Sequence, residues 1–208
     1  MCRRDASLRK RVVSLERLIL ASASPRRQQL LSRIYNSFDS VPSGIDELTP
    51  SGMSPAETVE CLAFQKAMAV WQRFPNAVVL GADTVIAIDG ETLGKPENRS
   101  HAQKMLRRLS GRSHDVYTGV AIVSKHKSDV FHCKAAVDFW ELRETEIAWY
   151  VQSDEPMDKA GAYGIQGIGA ILVKRITGDF FTIVGLPISQ TVRALENFAV
   201  YPSYAEDK

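Results

Sequence analysis

Asp83 is the residue whose position in this sequence most needs a chemical explanation. It lies within residues 78–88, where Val, Ile and Leu dominate, and the Asp89-Gly90 pair that follows predicts a tight turn at the end of a strand. An ionised carboxylate costs several kcal/mol to desolvate unless it is paired or binds a cation. Asp83 therefore either serves a ligand or forms a structural ion pair with a nearby Lys or Arg, and this run alone leaves both interpretations open.

Two arginines follow the first predicted strand at the start of a helix. Ser24 is the expected N-cap and Pro25 the first helical residue, so Arg26 and Arg27 lie in the first turn. Free N–H groups and the helix dipole attract anions there. Together with Ser22 and Ser24, these arginines indicate a phosphate site, and the alternative is a basic first turn on the surface.

Two lysines could meet the same anion. The capping box over residues 54–57 predicts a helix over 55–73, and Lys66 shares its apolar side. Its ammonium either reaches solvent along the helix surface or points into a cleft. Lys95 lies in a Gly-Lys-Pro turn twelve residues beyond Asp83, close enough in sequence to contact a ligand of that carboxylate.

Two loops supply further polar groups. Residues 43–47 carry the adjacent acids Asp46 and Glu47, which a solvated loop would also explain. Residues 158–169 contain four glycines with Asp158, Lys159 and Gln166 among them, so backbone amides could approach a ligand there. This stretch does not fit the dinucleotide fingerprint, and the chain contains no phosphate-binding loop of the G-x-x-x-x-G-K-[ST] type.

Both strands and helices must position these residues, and the length of the chain allows one domain, placed over residues 18–200, or two closely packed lobes. A basic extension over 1–17 precedes it and a flexible tail over 201–208 follows. The remaining predicted elements are strands at 18–21 and 38–41, a helix at 100–109, a hairpin of 113–123 with 130–141, a helix at 144–152, a hairpin of 170–176 with 180–184, and a helix at 187–198.

Composition excludes several classes of protein. The chain has 208 residues, and 26 basic against 24 acidic residues give a net charge of +2, so no overall field favours nucleic acid or membrane. Its apolar runs are too short to span a bilayer. Three distant cysteines and four histidines without ligand spacing predict neither disulfides nor a zinc site, which favours a cytoplasmic location. The basic extension leaves an organelle-targeting role open.

The separated motifs together resemble the Maf family of nucleoside triphosphate pyrophosphatases. They occur in order as LASASPRRQQLL, SGIDE, QKA, GADTV, GKP, LSGRSHDVYTGV and DKAGAYGIQG, and the match covers nearly the whole chain from Leu18 to Phe198. The resemblance implies an elongated two-lobed α/β fold with a bent mixed sheet and a central cleft, similar to the inosine triphosphate pyrophosphatases.

The resemblance also implies roles for matching positions. Asp83 is similar to the family's general base. Arg26, Thr84 and Gln166 are similar to its base-discriminating residues and match the branch that acts on dTTP and UTP, whereas the 7-methyl-GTP branch differs at these three positions. The rest of the implied site comprises Ser22, Arg27, Glu47, Lys66 and Lys95.

The expected reaction is hydrolysis of dTTP and UTP to the monophosphate and pyrophosphate. A divalent metal, Mg²⁺ or Mn²⁺, is expected to bridge phosphate oxygens with Asp83 and Glu47, because Mg²⁺ binds through one or two carboxylates plus substrate phosphates. Modified pyrimidine nucleotides, inosine or xanthosine triphosphate, 7-methyl-GTP, and a non-catalytic nucleotide-binding role in cell division are the alternatives. The resemblance points to a homodimer, and no nucleic-acid or membrane partner is expected.

Overall fold

The computed structural model describes residues 17–50 and 52–203. The predicted basic extension therefore lies outside the described residues except for Arg17, and the predicted tail lies outside them beyond Ser203. Within these ranges none of the helices is both long and apolar enough to cross a membrane.

A mixed sheet forms the centre of the fold and confirms the predicted α/β class. In the described part of the chain it has seven strands in the order β2-β1-β3-β5-β6-β7, with β4 pairing to β3. Strand β1 runs parallel to β2 and β3, whereas β3, β5, β6 and β7 pair antiparallel in succession. The strands are β1 (Leu18–Leu20), β2 (Asp39–Ser40), β3 (Val78–Ile88), β4 (Glu91–Leu93), β5 (Ser113–Val123), β6 (Ser128–Phe139) and β7 (Val173–Thr177).

The helices connect and cover these strands. They are α1 (Pro25–Ser32), α2 (Pro55–Trp71), α3 (Arg99–Leu109), α4 (Glu144–Gln152), α5 (Phe180–Val184) and α6 (Ile188–Glu196). The predicted capping box of α2 is present, since the Ser54 and Glu57 side chains each accept from the other residue's backbone N–H. Helix α3 begins at Arg99, one residue before the predicted bound, because Asn98 caps it by accepting from the His101 N–H.

Glycines allow α2 to lie directly on the sheet. A Cβ atom built on Gly81 of β3 or on Gly119 of β5 would come under 3.0 Å from the backbone of α2, at Ala63 and Val59 respectively. Only glycine permits so close an approach of a helix backbone to two neighbouring strands. The side of α2 that carries Lys66 is thereby held against the strand that carries Asp83.

The predicted last hairpin is wrong in its second arm. Residues 180–184 form helix α5 instead of a strand, and β7 pairs with β6. The Asp179 side chain accepts from the backbone N–H groups of Phe181 and Thr182, which caps the helix. Gly185, at φ +112°, then ends it in the left-handed conformation that glycine favours. The first arm is also shorter than predicted, because Ile168–Leu172 is a 3₁₀ helix.

Candidate active site

All of the predicted site residues line one cleft of about 810 Å³. The cleft lies beside the C-terminal end of β1, the first turn of α1 and the middle of β3, and the loops at 42–47, 94–95 and 158–167 border it. The structure thus brings together segments that are far apart in the sequence. The predicted residues in its lining are Ser22, Arg26, Arg27, Glu47, Lys66, Asp83, Thr84, Lys95 and Gln166.

Lys66 joins the two carboxylates at the floor of the cleft. Its Nζ lies 2.5 Å from Asp83 Oδ1 and 2.7 Å from Glu47 Oε1. The side chains of Lys66 and Asp83 are 11% and 10% exposed, whereas that of Glu47 is 52% exposed. Asp83 therefore has the ion-pair partner that its buried position requires, and the pair lies open to the cleft on one side.

The surroundings of Asp83 make it a stronger base than an ordinary aspartate. Burial raises the pKa of Asp83, and the Lys66 and Arg27 cations oppose that rise while the Glu47 carboxylate adds to it. The buried carboxylate thus combines an increased affinity for a proton with cations that favour its ionised form. These are the two properties that a general base needs.

Arg27 is fixed in place by three neighbours. Its Nε donates to the Gly185 carbonyl at 2.8 Å, its Nη2 to Thr84 Oγ1 at 3.1 Å and its Nη1 to Ser22 Oγ at 3.4 Å. Burial lowers the pKa of the Arg27 guanidinium, and Asp83 opposes this effect, so the cation is held near the carboxylate in a partly desolvated place. Ser22 also accepts from the Ser24 N–H at 3.1 Å, which shapes the entry to α1.

A chain of hydroxyl groups continues from Arg27 into the core. Thr84 Oγ1 lies 2.8 Å from Thr118 Oγ1, and Thr118 Oγ1 donates to the Thr182 carbonyl at 2.7 Å. Thr84 is half-buried in the cleft lining, whereas Thr118 is fully buried. The orientation of Thr84 is therefore fixed by residues of β5 and α5 that do not border the cleft.

Arg26 lies near the glycine-rich loop. Its Nη1 is 3.8 Å from Asp158 Oδ2, and Asp158 is also paired with Lys159 at 2.6 Å. Lys159 donates in addition to the Glu155 carbonyl at 2.6 Å, and the Glu155 carboxylate accepts from the Ile168 and Gly169 N–H groups. These bonds hold the loop across the cleft from α1.

Lys95 and Gln166 occupy the exposed edge of the cleft. Among residues 17–50 and 52–203, no hydrogen bond or ion pair joins either side chain to another predicted site residue. The backbone below Lys95 is anchored, because the Gly161 N–H donates to the Gly94 carbonyl at 3.0 Å. Both side chains are thus available to a ligand rather than engaged in the fold.

Two carboxylates could hold a metal that arrives with phosphates. In the part of the chain that the structure describes, no group of three or more His, Cys, Asp or Glu side chains is placed to bind a metal ion. Asp83 Oδ1 and Glu47 Oε1 nevertheless both contact Lys66 Nζ, which brings the two carboxylates into the same part of the cleft. Two carboxylates completed by phosphate oxygens and water form a donor set that suits Mg²⁺.

Sequence reasoning did not assign Asp158 or Thr118 to the site. The sequence does offer an indication for Asp158, because it is the first residue of the glycine-rich stretch over 158–169. In the structure it borders the cleft beside Arg26. Thr118 lies within the LSGRSHDVYTGV motif, but its relation to Thr84 cannot be read from the sequence, because it depends on the register that places the two residues directly opposite each other in β5 and β3.

The chain is similar to a known protein family and to curated relatives over most of its length. A family model described as "Maf-like protein" matches residues 17–198. The dTTP/UTP pyrophosphatase of Bacillus velezensis is 52% identical over 185 residues, which cover 89% of this chain and 98% of the relative. The dTTP/UTP pyrophosphatase of Symbiobacterium thermophilum is 51% identical over 190 residues, covering 91% and 97%. The solved structure of a HAM1 protein from Coxiella burnetii aligns with this chain at a TM-score of 0.48 and 16% sequence identity. The alignment covers 88% of this chain and 99% of the HAM1 chain.

Proposed function

The chain belongs to the family of Maf-like proteins, and we propose that it is a nucleoside triphosphate pyrophosphatase that hydrolyses dTTP and UTP to the monophosphate and pyrophosphate. Relatives of that name share about half of its residues over nearly their whole length. The observation that carries the proposal is the cleft itself, in which a buried carboxylate, Asp83, lies among cations that could hold a polyphosphate.

The cations of the cleft match the charge of the substrate. A nucleoside triphosphate carries about four negative charges near neutral pH, and hydrogen bonds from charged donors to phosphate are among the strongest in proteins. Arg27 and Lys66 are fixed by their neighbours, whereas Arg26 and Lys95 are more exposed and could close on the ligand. Preorganised cations of this kind stabilise charge that develops during phosphoryl transfer.

Asp83 acts as the general base in this proposal. Its carboxylate takes a proton from a water molecule as the water oxygen bonds to the α-phosphorus. The bond from that phosphorus to the bridging oxygen breaks, and pyrophosphate leaves. Burial, which raises the pKa of Asp83, favours its acceptance of the proton, and Lys66 keeps the carboxylate ionised beforehand.

Asp83 and Glu47 would hold the divalent metal, Mg²⁺ or Mn²⁺. When bound, such an ion supplies charge neutralisation to the phosphate oxygens. Both carboxylates lie in the same part of the cleft, beside Lys66, and this proximity supports the assignment.

The base would be read by Arg26, Thr84 and Gln166. All three border the cleft, and they come from three separate segments, which are helix α1, strand β3 and the glycine-rich loop. An amide such as that of Gln166 can both donate and accept, which suits the carbonyl oxygens and N3–H of a pyrimidine. The half-buried Thr84 hydroxyl offers a fixed contact below them.

A nucleotide panel tests the proposal directly. The purified protein is incubated with dTTP, UTP, CTP, GTP, ITP, XTP and 7-methyl-GTP in Mg²⁺ or Mn²⁺, and released pyrophosphate is measured. The proposal predicts the highest kcat/KM for dTTP and UTP and no release without a divalent metal. Preference for ITP or XTP would assign a different pyrophosphatase activity, and nucleotide binding without turnover would favour a non-catalytic role.

Location and assembly belong to the same proposal. A cytoplasmic location is consistent with the three distant cysteines of the chain, and the homodimer is proposed from the resemblance to the family. Sedimentation of the purified protein distinguishes a dimer from a monomer.

A further inference from the structure

We propose that Thr118 is a positioning residue that turns the Thr84 hydroxyl into a hydrogen-bond acceptor toward the nucleotide base, and that this polarity selects uracil and thymine over cytosine. The inference rests on the proposed function, because it concerns the base that the same cleft would read. It adds a residue that borders neither the cleft nor the substrate.

Thr118 reaches Thr84 from the neighbouring strand. The two residues face each other in the antiparallel pairing of β5 with β3, where side chains on one face lie close enough to bond. Their Oγ1 atoms are 2.8 Å apart. Thr118 is 0% exposed and lies outside the cleft lining, so it can influence a ligand only through Thr84.

The hydrogen-bond partners fix the positions of the hydroxyl protons of Thr84 and Thr118. A hydroxyl has one proton and two lone pairs, and a carbonyl only accepts. Thr118 must therefore donate its proton to the Thr182 carbonyl. The proton in the hydrogen bond between the two threonines must then come from Thr84. Arg27 Nη2 donates to Thr84 and occupies one of its lone pairs. The only capacity that Thr84 retains is one lone pair, so it can accept from a ligand but cannot donate to one.

Helix α5 explains why the Thr182 carbonyl needs an outside donor. In a longer helix the N–H of Leu186 would bond to Thr182, but here it donates to Phe181, because Gly185 turns the chain away at φ +112°. A buried carbonyl without a hydrogen-bond partner destabilises a fold. Thr118 donates to this carbonyl. The backbone of α5 thereby determines that the hydrogen bonds are donated from Thr84 to Thr118 and from Thr118 to Thr182.

An acceptor at Thr84 distinguishes the pyrimidines by their N3 atoms. Uracil and thymine carry a proton on N3 and can donate it, whereas cytosine has a lone pair at N3. A cytosine placed in the same way would oppose its lone pair to that of Thr84 and leave both without a partner. Sites that leave buried polar groups unpaired with the wrong substrate discriminate strongly against it.

The substitution Thr118→Val tests this role with little change of shape. Without the Thr118 oxygen, the Thr84 proton is free to turn toward the ligand and can serve N3 of cytosine. We expect the ratio of kcat/KM for UTP to that for CTP to fall by about 10-fold or more. Thr118→Ser keeps the hydroxyl and should retain the wild-type ratio. Equal losses on UTP and CTP in Thr118→Val, with an unchanged ratio, would overturn the proposal.

Two features of the experiment keep its outcomes separate. UTP and CTP compete in one reaction, so their ratio does not depend on how much of a variant is folded. Calorimetry with UMP and CMP measures the same selectivity without turnover. A wild-type protein that hydrolyses neither UTP nor dTTP would refute the proposed function, yet a preference for UMP that Thr118→Val loses would still support the role of Thr118. Equal binding of UMP and CMP by the wild type would overturn that role.

Discussion

Lys66 lies between the buried carboxylate of Asp83 and the half-exposed carboxylate of Glu47. This arrangement is the main feature of the candidate site at the scale of single residues. Its ammonium contacts Asp83 at 2.5 Å and Glu47 at 2.7 Å, while its stem shares the buried side of α2. A structural ion pair and a chemical role for Asp83 are therefore not exclusive. The same lysine that compensates the buried charge of Asp83 also favours the ionised form of its carboxylate within the cleft.

Arg26 is suited to reading a ligand because it contributes little to the fold. Its contact with Asp158 is 3.8 Å long and partly exposed, and such pairs contribute little stability. We expect Arg26→Ala to lower the ratio of kcat/KM for UTP to that for GTP by about 10-fold, a loss typical of one well-placed polar contact. Pyrophosphate release from each nucleotide measures it.

A matched control for Arg26 is Arg99→Ala, which removes another exposed Arg–Asp pair outside the cleft and should leave the ratio unchanged. An equal loss on every nucleotide in Arg26→Ala would instead show that Arg26 binds phosphate.

At the scale of elements, the contact of α2 with β3 and β5 brings Lys66 to Asp83. This contact depends on glycines in both strands, because any Cβ at Gly81 or Gly119 would collide with backbone atoms of the helix. Backbone atoms cannot move aside as a flexible side chain can. A larger residue must therefore displace the helix that carries Lys66.

The substitution Gly119→Ala tests this dependence. We expect the free energy of unfolding to fall by about 1–3 kcal/mol or more, as for other overpacked positions. Urea denaturation measures the change. Gly94→Ala is the matched control, since a Cβ there meets nothing within 4 Å, and its stability should stay at the wild-type level. A Gly119→Ala protein as stable as the control would mean that the strands and α2 are not packed as described.

Prediction from the sequence succeeded for elements whose signals are local and failed where two signals competed. The capping box of α2 and the long apolar run of β3 were confirmed nearly to the residue. Residues 180–184, FFTIV, are aromatic and β-branched and so favour a strand. The Asp179 cap and the Gly185 terminus nevertheless make them a helix, because the two residues that flank this short segment satisfy the backbone groups at its ends.

At the scale of the whole molecule, the cleft is assembled from segments between residues 21 and 184. The separated motifs identified these segments because each carries recognisable residue types, such as paired arginines or clustered glycines. The positions of Thr118 and Asp158 in the network could not be inferred, since they follow from strand register and from the path of a loop. The roles of the site residues stay predictions until turnover is measured.

The stability of the whole fold should fall as the pH drops from about 6.5 toward 4. Burial lowers the pKa of His114 to about 4, with Asp115 and Asp138 opposing, so the unfolded chain binds a proton in this window that the folded chain does not. The stabilisation is complete above pH 6.5 and is lost as the pH falls, by about 3 kcal/mol in total. Urea denaturation at pH 7, 5.5 and 4.5 measures the loss.

The variant His114→Gln cannot titrate and should lose less stability over the same interval. If the wild type and His114→Gln lost equal amounts, the pH dependence would come from other groups.

Pyrophosphate release by Asp83→Asn is the measurement that tests the central claim most directly. The amide cannot take a proton from water, while Lys66 keeps Glu47 as a partner, so the fold should persist. We expect kcat for dTTP and UTP to fall by about 100-fold or more with little change in Tm. Asp115→Asn, on β5 and outside the cleft, should keep full activity. Release by Asp83→Asn at the wild-type rate would contradict the assignment of Asp83 as the general base.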